Sequence, residues 1–232
     1  MPYAQSLARR DFFIETENNL KIARQATLKK NAFPIPMTDM LLQAVIFKTC
    51  ARLEEYLKDV ISDWLFSAIE KKHFAVSLPE DLRWFCVSKA HLAHYKNFIN
   101  LPDEIQLLEG LKRKPQNGLL DDSGSIEGRL DPLVVVGDRK YPSVKNIRQL
   151  FVRIGLRNLW DMVNRRTRRD FAFVLQSFLD VREAIAHQAP PPLTFVDVRS
   201  HIRNVQSFVN AVDRILYSHV LRHHGRKCWR SS

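Results

Sequence analysis

Residues 198–220 carry Val198, Ile202, Val205, Val209, Val212, Leu216 and Val220 at steps of three and four. That period lines the side chains up along one stripe of an α-helix, whereas a strand would scatter them over both faces. A second segment has the same pattern over a longer stretch. Leu42, Ile46, Leu53, Leu57, Val60 and Trp64 predict a helix from Thr38, its expected cap, to about residue 72, roughly 50 Å at 1.5 Å per residue. Such helices bury their apolar stripes only against other helices. With 7 glycines in 232 residues and 45% apolar residues, the chain is expected to form an all-α helical bundle.

Other segments supply the partners. Residues 4–30 predict a charged helix with Phe12, Phe13, Ile14, Leu20, Ile22 and Ala23 on or near one face, broken by Pro34 and Pro36. Pro79-Glu80 opens a third helix, through Trp84, Phe85, Val87, Leu92 and Phe98, and Pro102-Asp103-Glu104 restarts the chain to about residue 114. Residues 115–142 are rich in Gly and Pro and predict an irregular insertion, a surface excursion with a short strand at Leu133-Val134-Val135-Val136. Ser143 caps the next helix, Gly155 interrupts it, a basic helical stretch runs to about residue 169, and residues 170–189 form one more helix. Thr194-x-x-Asp197 is a capping box for the last. The whole reads as one helical domain over 1–222, with a basic tail, 223–232, expected to fray.

The formal net charge of +11 favours a polyanion: RNA, DNA or an acidic membrane surface. No apolar run approaches the ~20 residues that span a bilayer, and the first residues lack the apolar core of a signal peptide. Cys50, Cys86 and Cys228 are odd in number and widely spaced, which fits a reducing compartment. A cytoplasmic location is expected, with no membrane partner. Cys86, His91 and His94 share a helix, and His223, His224 and Cys228 share the tail, but neither set has paired Cys-x2-Cys or His-x3-His spacing, so no metal is expected. Phosphate-binding glycine loops and a Gly-x-Ser-x-Gly elbow are absent, and no cofactor is expected.

One short run carries chemistry: Arg182-Glu183-Ala184-Ile185-Ala186-His187, followed by Pro190-Pro191-Pro192. An Arg can neutralise a phosphate while a His moves protons. Arg-x4-His alone is weak evidence in an Arg-rich chain, and Arg214-x4-His219 matches too. That second pair encloses core-stripe residues and reads as the polar edge of a helix. In the first pair, Glu183 lies four residues before His187, on the same helical face, where its carboxylate can accept the imidazole N–H and set the tautomer. The carbonyls of a last helical turn favour a cation there. A surface Arg beside a helix-terminal His with a Glu partner has the same signature.

Residues 178–187 with the prolines and the Thr-initiated final helix resemble HEPN-domain proteins, and in particular the RiboL-PSP-type HEPN group. Ala51-Arg52-Leu53-Glu54-Glu55-Tyr56-Leu57 resembles that group's Leu-Glu-x-Tyr segment, and residues 144–155 resemble its helix before the motif. The resemblance spans about residues 38–222. It implies a bundle that dimerises with its motif helices adjacent. The implied activity is a metal-independent endoribonuclease, often a toxin or phage-defence effector with an antitoxin or defence-system partner. It also implies roles: Arg182 on the scissile phosphate, His187 as base at the ribose 2′-OH or acid at the leaving 5′-oxygen, and Glu183 orienting His187. Active members usually carry Asn, Asp or His where this chain has Glu183. Some carry a modified Tyr where it has Ala189. The alternative is a catalytically silent HEPN-like module that binds RNA, a nucleotide or a partner.

Arg165, Arg166, Arg168 and Arg169 form the densest basic run, with Trp160 upstream. They read either as a phosphate-tracking patch leading RNA to His187 or as a solvated helix face. The tail from Arg222 to Arg230 adds nonspecific affinity in the first case.

Overall fold

A computed structural model describes residues 2–28, 33–137, 142–187 and 192–231. Two long helices organise it: α2 (Ile35–Glu70) and α9 (Phe195–His224). They run in the same direction, because Tyr56 reaches the Val209 carbonyl at 3.3 Å and Trp64, two turns on, packs edge-on against His219 at 5.4 Å. Between them lie the residues that the two apolar stripes singled out: Leu42, Ile46, Leu53, Leu57, Val60 and Trp64 from one, Val198 to Val220 from the other, all buried. Among the described residues every regular element is helical, and strand-like pairing is limited to the isolated bridges Ser6–Ser231 and Phe74–Ser125. The fold is an all-α bundle, and no helix among the described residues is long and apolar enough to cross a membrane.

α1 (Leu7–Ala26) packs antiparallel to α2, with Phe12 5.9 Å from Tyr56. It buries Phe12, Leu20 and Ala23 and leaves Ile14 and Ile22 exposed. The expected end of this helix at residues 29–30 lies outside the described residues. α2 begins at Ile35, not at Thr38: Pro34 precedes it and a proline occupies its first turn, where a missing N–H costs nothing. Thr38 instead faces α1 and the Ala26 carbonyl. α3 (Glu80–Asn100) and α4 (Glu104–Lys112) form a hairpin on one side.

Residues 115–137, the described part of the expected insertion before Pro142, correct the sequence reading. Leu119, Ile126, Leu130, Val135 and Val136 are buried in the common core. The expected strand is α5 (Pro132–Val136), one helical turn whose Asp131 side chain accepts the Leu133 N–H at 2.9 Å. A capping Asp followed by Pro sets the first turn, and burial against α2, α3 and α6 overrides the β-preference of three valines.

α6 (Val144–Arg153), capped by Ser143 as expected, stops short of Gly155. That residue has φ +82, and a Cβ there would stand 2.8 Å from Pro79 Cβ, so only glycine fits the turn. α7 (Leu159–Thr167) and α8 (Phe171–Ala186) follow.

The tail is packed rather than frayed. Cys228 and Trp229 are buried, Trp229 donates to the Ala4 carbonyl at 3.0 Å, and the Leu7 N–H donates to the Arg230 carbonyl at 3.1 Å. Two apolar side chains after the Gly225 turn are enough to close the chain's last residues onto its first.

Candidate active site

α8 presents the Arg182–His187 motif. Asp170 accepts the Phe173 N–H at 3.3 Å, Asn164 accepts the Phe171 N–H at 2.9 Å, and together they fix where the helix starts. Phe171, Leu175, Phe178 and Leu179 form its buried face, with Phe171 stacked on Phe208 of α9 at 6.2 Å. That anchoring sets the azimuth of every later residue on the helix. Arg182 is half-buried, its guanidinium 5.2 Å from the centre of the Phe47 ring on α2. It lies near Cys50, whose thiol is pushed up to about 11 by burial despite the opposing pull of Arg182.

Glu183 and His187 face solvent, with side chains 68% and 75% exposed. His187 Nε2 is 3.9 Å from Glu183 Oε1. That is within ion-pair reach when the imidazole is charged and too long for a hydrogen bond. His187 ends the helix, its backbone N–H on the Glu183 carbonyl at 3.1 Å. Five residues at 3.6 per turn leave Arg182 and His187 about 140° apart around α8, one turned toward α2 and the other outward. The helix brings Glu183 to His187, while the Arg182 guanidinium packs on Phe47 of α2. Ala189, Pro190 and Pro191 lie outside the described residues.

The basic run sits at the other end of α8, about 24 Å away along 16 residues. Arg169 donates to Asn204 at 3.1 Å. Arg168 caps α7 in the left-handed conformation, φ 55 and ψ 34. Arg165, Arg166 and Arg168 are exposed and make no ion pair among the described residues. Arg165 lines a cleft with the C-terminal turns of α9, so the run adjoins that cleft and not His187.

The second match, Arg214 and His219, also parts. Arg214 lies 4.3 Å over the Tyr3 ring, and His219 is buried with neither ring nitrogen hydrogen-bonded. Burial pushes His219 down to about 4. Beside it, Trp64 Nε1 donates to His224 Nδ1 at 3.1 Å, which leaves the proton of a neutral His224 on Nε2, facing the Ser77 hydroxyl at 3.1 Å. Ser77 in turn donates to the Phe74 carbonyl at 2.6 Å. His224 is pushed down to about 3, chiefly by burial. The sequence reading placed His219 on the polar edge of a helix and His224 in a tail expected to fray, so their burial against Trp64 was not anticipated. Cys86 packs in the core, its thiol pushed up to about 12 by burial, and His91 bonds Asn117 at 2.7 Å.

The RiboL-PSP-HEPN family profile matches residues 13–218, nearly the whole chain. No curated protein and no solved structure matches.

Proposed function

The chain belongs to the RiboL-PSP-HEPN family, and on that premise we propose that it is a metal-independent endoribonuclease acting through Arg182, Glu183 and His187. The observation that carries this reading is an accessible imidazole, 3.9 Å from a carboxylate one turn back, at the solvent-facing end of a firmly seated helix. Arg182 binds the scissile phosphate. His187 takes the proton of the ribose 2′-OH, the 2′-oxygen forms a bond to phosphorus, and the bond from phosphorus to the 5′-oxygen breaks. A second acid protonates that 5′-oxygen, leaving a 2′,3′-cyclic phosphate and a 5′-hydroxyl.

The 140° between Arg182 and His187 gives two copies a reason to meet, since motifs from adjacent α8 helices supply a base and an acid together. The apolar Ile35 (78% exposed), Met37 and Met40 (70%) of α2, with Val196 of α9, lie toward the same end of the bundle and support a homodimer there. Arg165, Arg166, Arg168 and Arg169, about 24 Å from His187, engage RNA phosphates away from the cut and give salt-dependent affinity. A toxin or phage-defence role, restrained by an antitoxin or defence-system partner, follows from the same family resemblance.

One observation favours the silent binding module. Glu183 is longer than the usual Asn or Asp, and its carboxylate stands beyond hydrogen-bond reach of His187. The test is incubation of the purified protein, and of His187→Ala, with tRNA and single-stranded RNA in EDTA. The expected result is discrete cleavage with 2′,3′-cyclic ends, lost in the variant. Cleavage undiminished in His187→Ala would overturn the site. RNA binding by a folded dimer without cleavage would establish the binding module instead.

A further inference from the structure

The cleft between α1 and α2 holds polar groups that neither the core nor the Arg182–His187 motif uses. Its volume is about 350 Å³, within the roughly 300–1,000 Å³ of small-ligand sites. Glu15, Asn18 and Asn19 of α1 line one wall, and Lys48, Ala51 and Arg52 of α2 line the other.

Asn19 is the residue that the fold does not explain. It is 7% exposed, its carboxamide has no hydrogen-bond partner among the described residues, and its amide atoms still meet solvent where it lines the cleft. Buried polar groups are nearly always satisfied. Asparagine is also a poor residue inside a helix, because its side chain competes for backbone groups, yet Asn18 and Asn19 stand together within α1. A buried amide that weakens its helix and bonds nothing keeps a donor and an acceptor for a ligand.

Arg52 adds a flat surface. Glu15 pairs with its Nε at 2.7 Å and Glu55 with its Nη1, so two carboxylates hold the guanidinium in place. Guanidinium planes stack on unpaired bases. Lys48 is exposed and makes no ion pair among the described residues. Ala51 has a small side chain, which keeps the exposed ridge of α2 low between the cleft and Phe47, the ring under Arg182. Phe47 and Ala51 are one helical turn apart, about 6 Å. α8 runs antiparallel to α9, with Phe171 on Phe208 and Phe178 6.0 Å from His201, and α9 runs in the direction of α2. His187, Arg182 and the cleft therefore follow one another along α2.

We propose that this cleft holds one unstacked base of single-stranded RNA, beside the nucleotide whose phosphate Arg182 binds, and selects a base with an exocyclic amine, adenine or cytosine. The Asn19 carbonyl accepts from that amine while its NH2 donates to the adjacent ring nitrogen. Glu15, an acceptor alone, disfavours the carbonyl oxygen that hypoxanthine or uracil carries in place of the amine. The selection rests on the ribonuclease reading only for the path of the strand over Arg182, so its test reads binding rather than cleavage.

Fluorescence anisotropy of purified His187→Ala protein with labelled oligo(A), oligo(I), oligo(C) and oligo(U) measures this on uncut RNA. Oligo(A) over oligo(I), or oligo(C) over oligo(U), is expected to bind about tenfold tighter. The first result assigns adenine and the second cytosine. Adding Asn19→Ala is expected to erase the preference with a melting temperature equal or higher, since alanine is the better helix former. Lys48→Ala is expected to weaken all four strands alike and to lower the salt dependence by about one phosphate contact. Equal binding within both pairs, a preference that survives Asn19→Ala, or a fall in melting temperature in Asn19→Ala would each overturn the proposal. Base preference without cleavage by the wild type would keep this site and overturn the ribonuclease reading. Cleavage without base preference would do the reverse.

Discussion

Two Arg-x4-His pairs lie on adjacent helices of this protein, and they have opposite surroundings. On α8, His187 is exposed beside Glu183 and Arg182 rests on Phe47. On α9, His219 is sealed behind Trp64 and Arg214 covers Tyr3. A proton-transfer group needs access to substrate and a charge state that can change near the working pH. An imidazole whose burial holds it at about 4 stays neutral at neutral pH. The same six-residue spacing therefore contributes a candidate catalytic group in one helix and a stability constraint in the other. Which it becomes depends on the helix face, since α8 ends at its motif while α9 runs its pair through the core.

The sharpest way to break this comparison is kinetic. Arg182→Ala and His187→Ala are each expected to lower RNA cleavage by about 10²–10⁴-fold, with melting temperature unchanged. Arg214→Ala is expected to leave cleavage per folded molecule unaltered. Equal losses in both helices would erase the distinction.

The next effect is on stability. Asp213 on α9 is buried and accepts from Tyr3 at 2.5 Å, from the Ser6 hydroxyl, and from the Ser6 N–H at 3.2 Å, with Tyr56 at 3.4 Å. Asp213→Ala strands these donors and is expected to cost about 3 kcal/mol in chemical denaturation. Asp213→Asn keeps an acceptor and is expected to cost less.

A pH series isolates the buried imidazole of α9. His219, at about 4 in the fold and near its ordinary 6.5 when unfolded, takes up protons first in the unfolded state as pH falls. Stability from this group is unchanged above pH 6.5, declines from there toward pH 4, and levels off below; the loss is roughly 3 kcal/mol at about 1.4 per pH unit. Asp213 works the other way, because burial raises it and acidification relieves that cost. His219→Phe is expected to flatten the fall in melting temperature between pH 6.5 and 4.5.

The smallest effect belongs to the turn between α7 and α8. Arg168 holds φ 55 without being glycine. Arg168→Gly is expected to stabilise by up to about 1 kcal/mol while weakening RNA binding in low salt by the loss of one cation. A destabilised variant would show that Arg168 makes contacts that outweigh its backbone strain.

Much of this was legible in the residues. The stripes on α2 and α9, the caps at Asp103, Ser143, Asp170 and Thr194, and the break at Gly155 depend on neighbours within a few positions. Helical periodicity and capping are local physics, so the all-α class and the helix carrying Arg182, Glu183 and His187 followed from sequence. The same periodicity could have separated Arg182 from His187 by 140°, had the spacing been converted to an angle.

Tertiary structure alone decided the rest. Leu133-Val134-Val135-Val136 has strand-forming residues, yet a capped proline and a slot among α2, α3 and α6 made it a helical turn. Cys228 and Trp229 lie in a run of cations, yet the groove beside Ala4, Leu7 and Tyr217 buries them. Arg165 reads as part of the path to His187, yet α8 carries that histidine about 24 Å away and leaves Arg165 lining a cleft at the C-terminal turns of α9. In each case the deciding contact joins residues far apart in the chain, and burial against a distant partner outweighs what a short stretch of sequence prefers by itself.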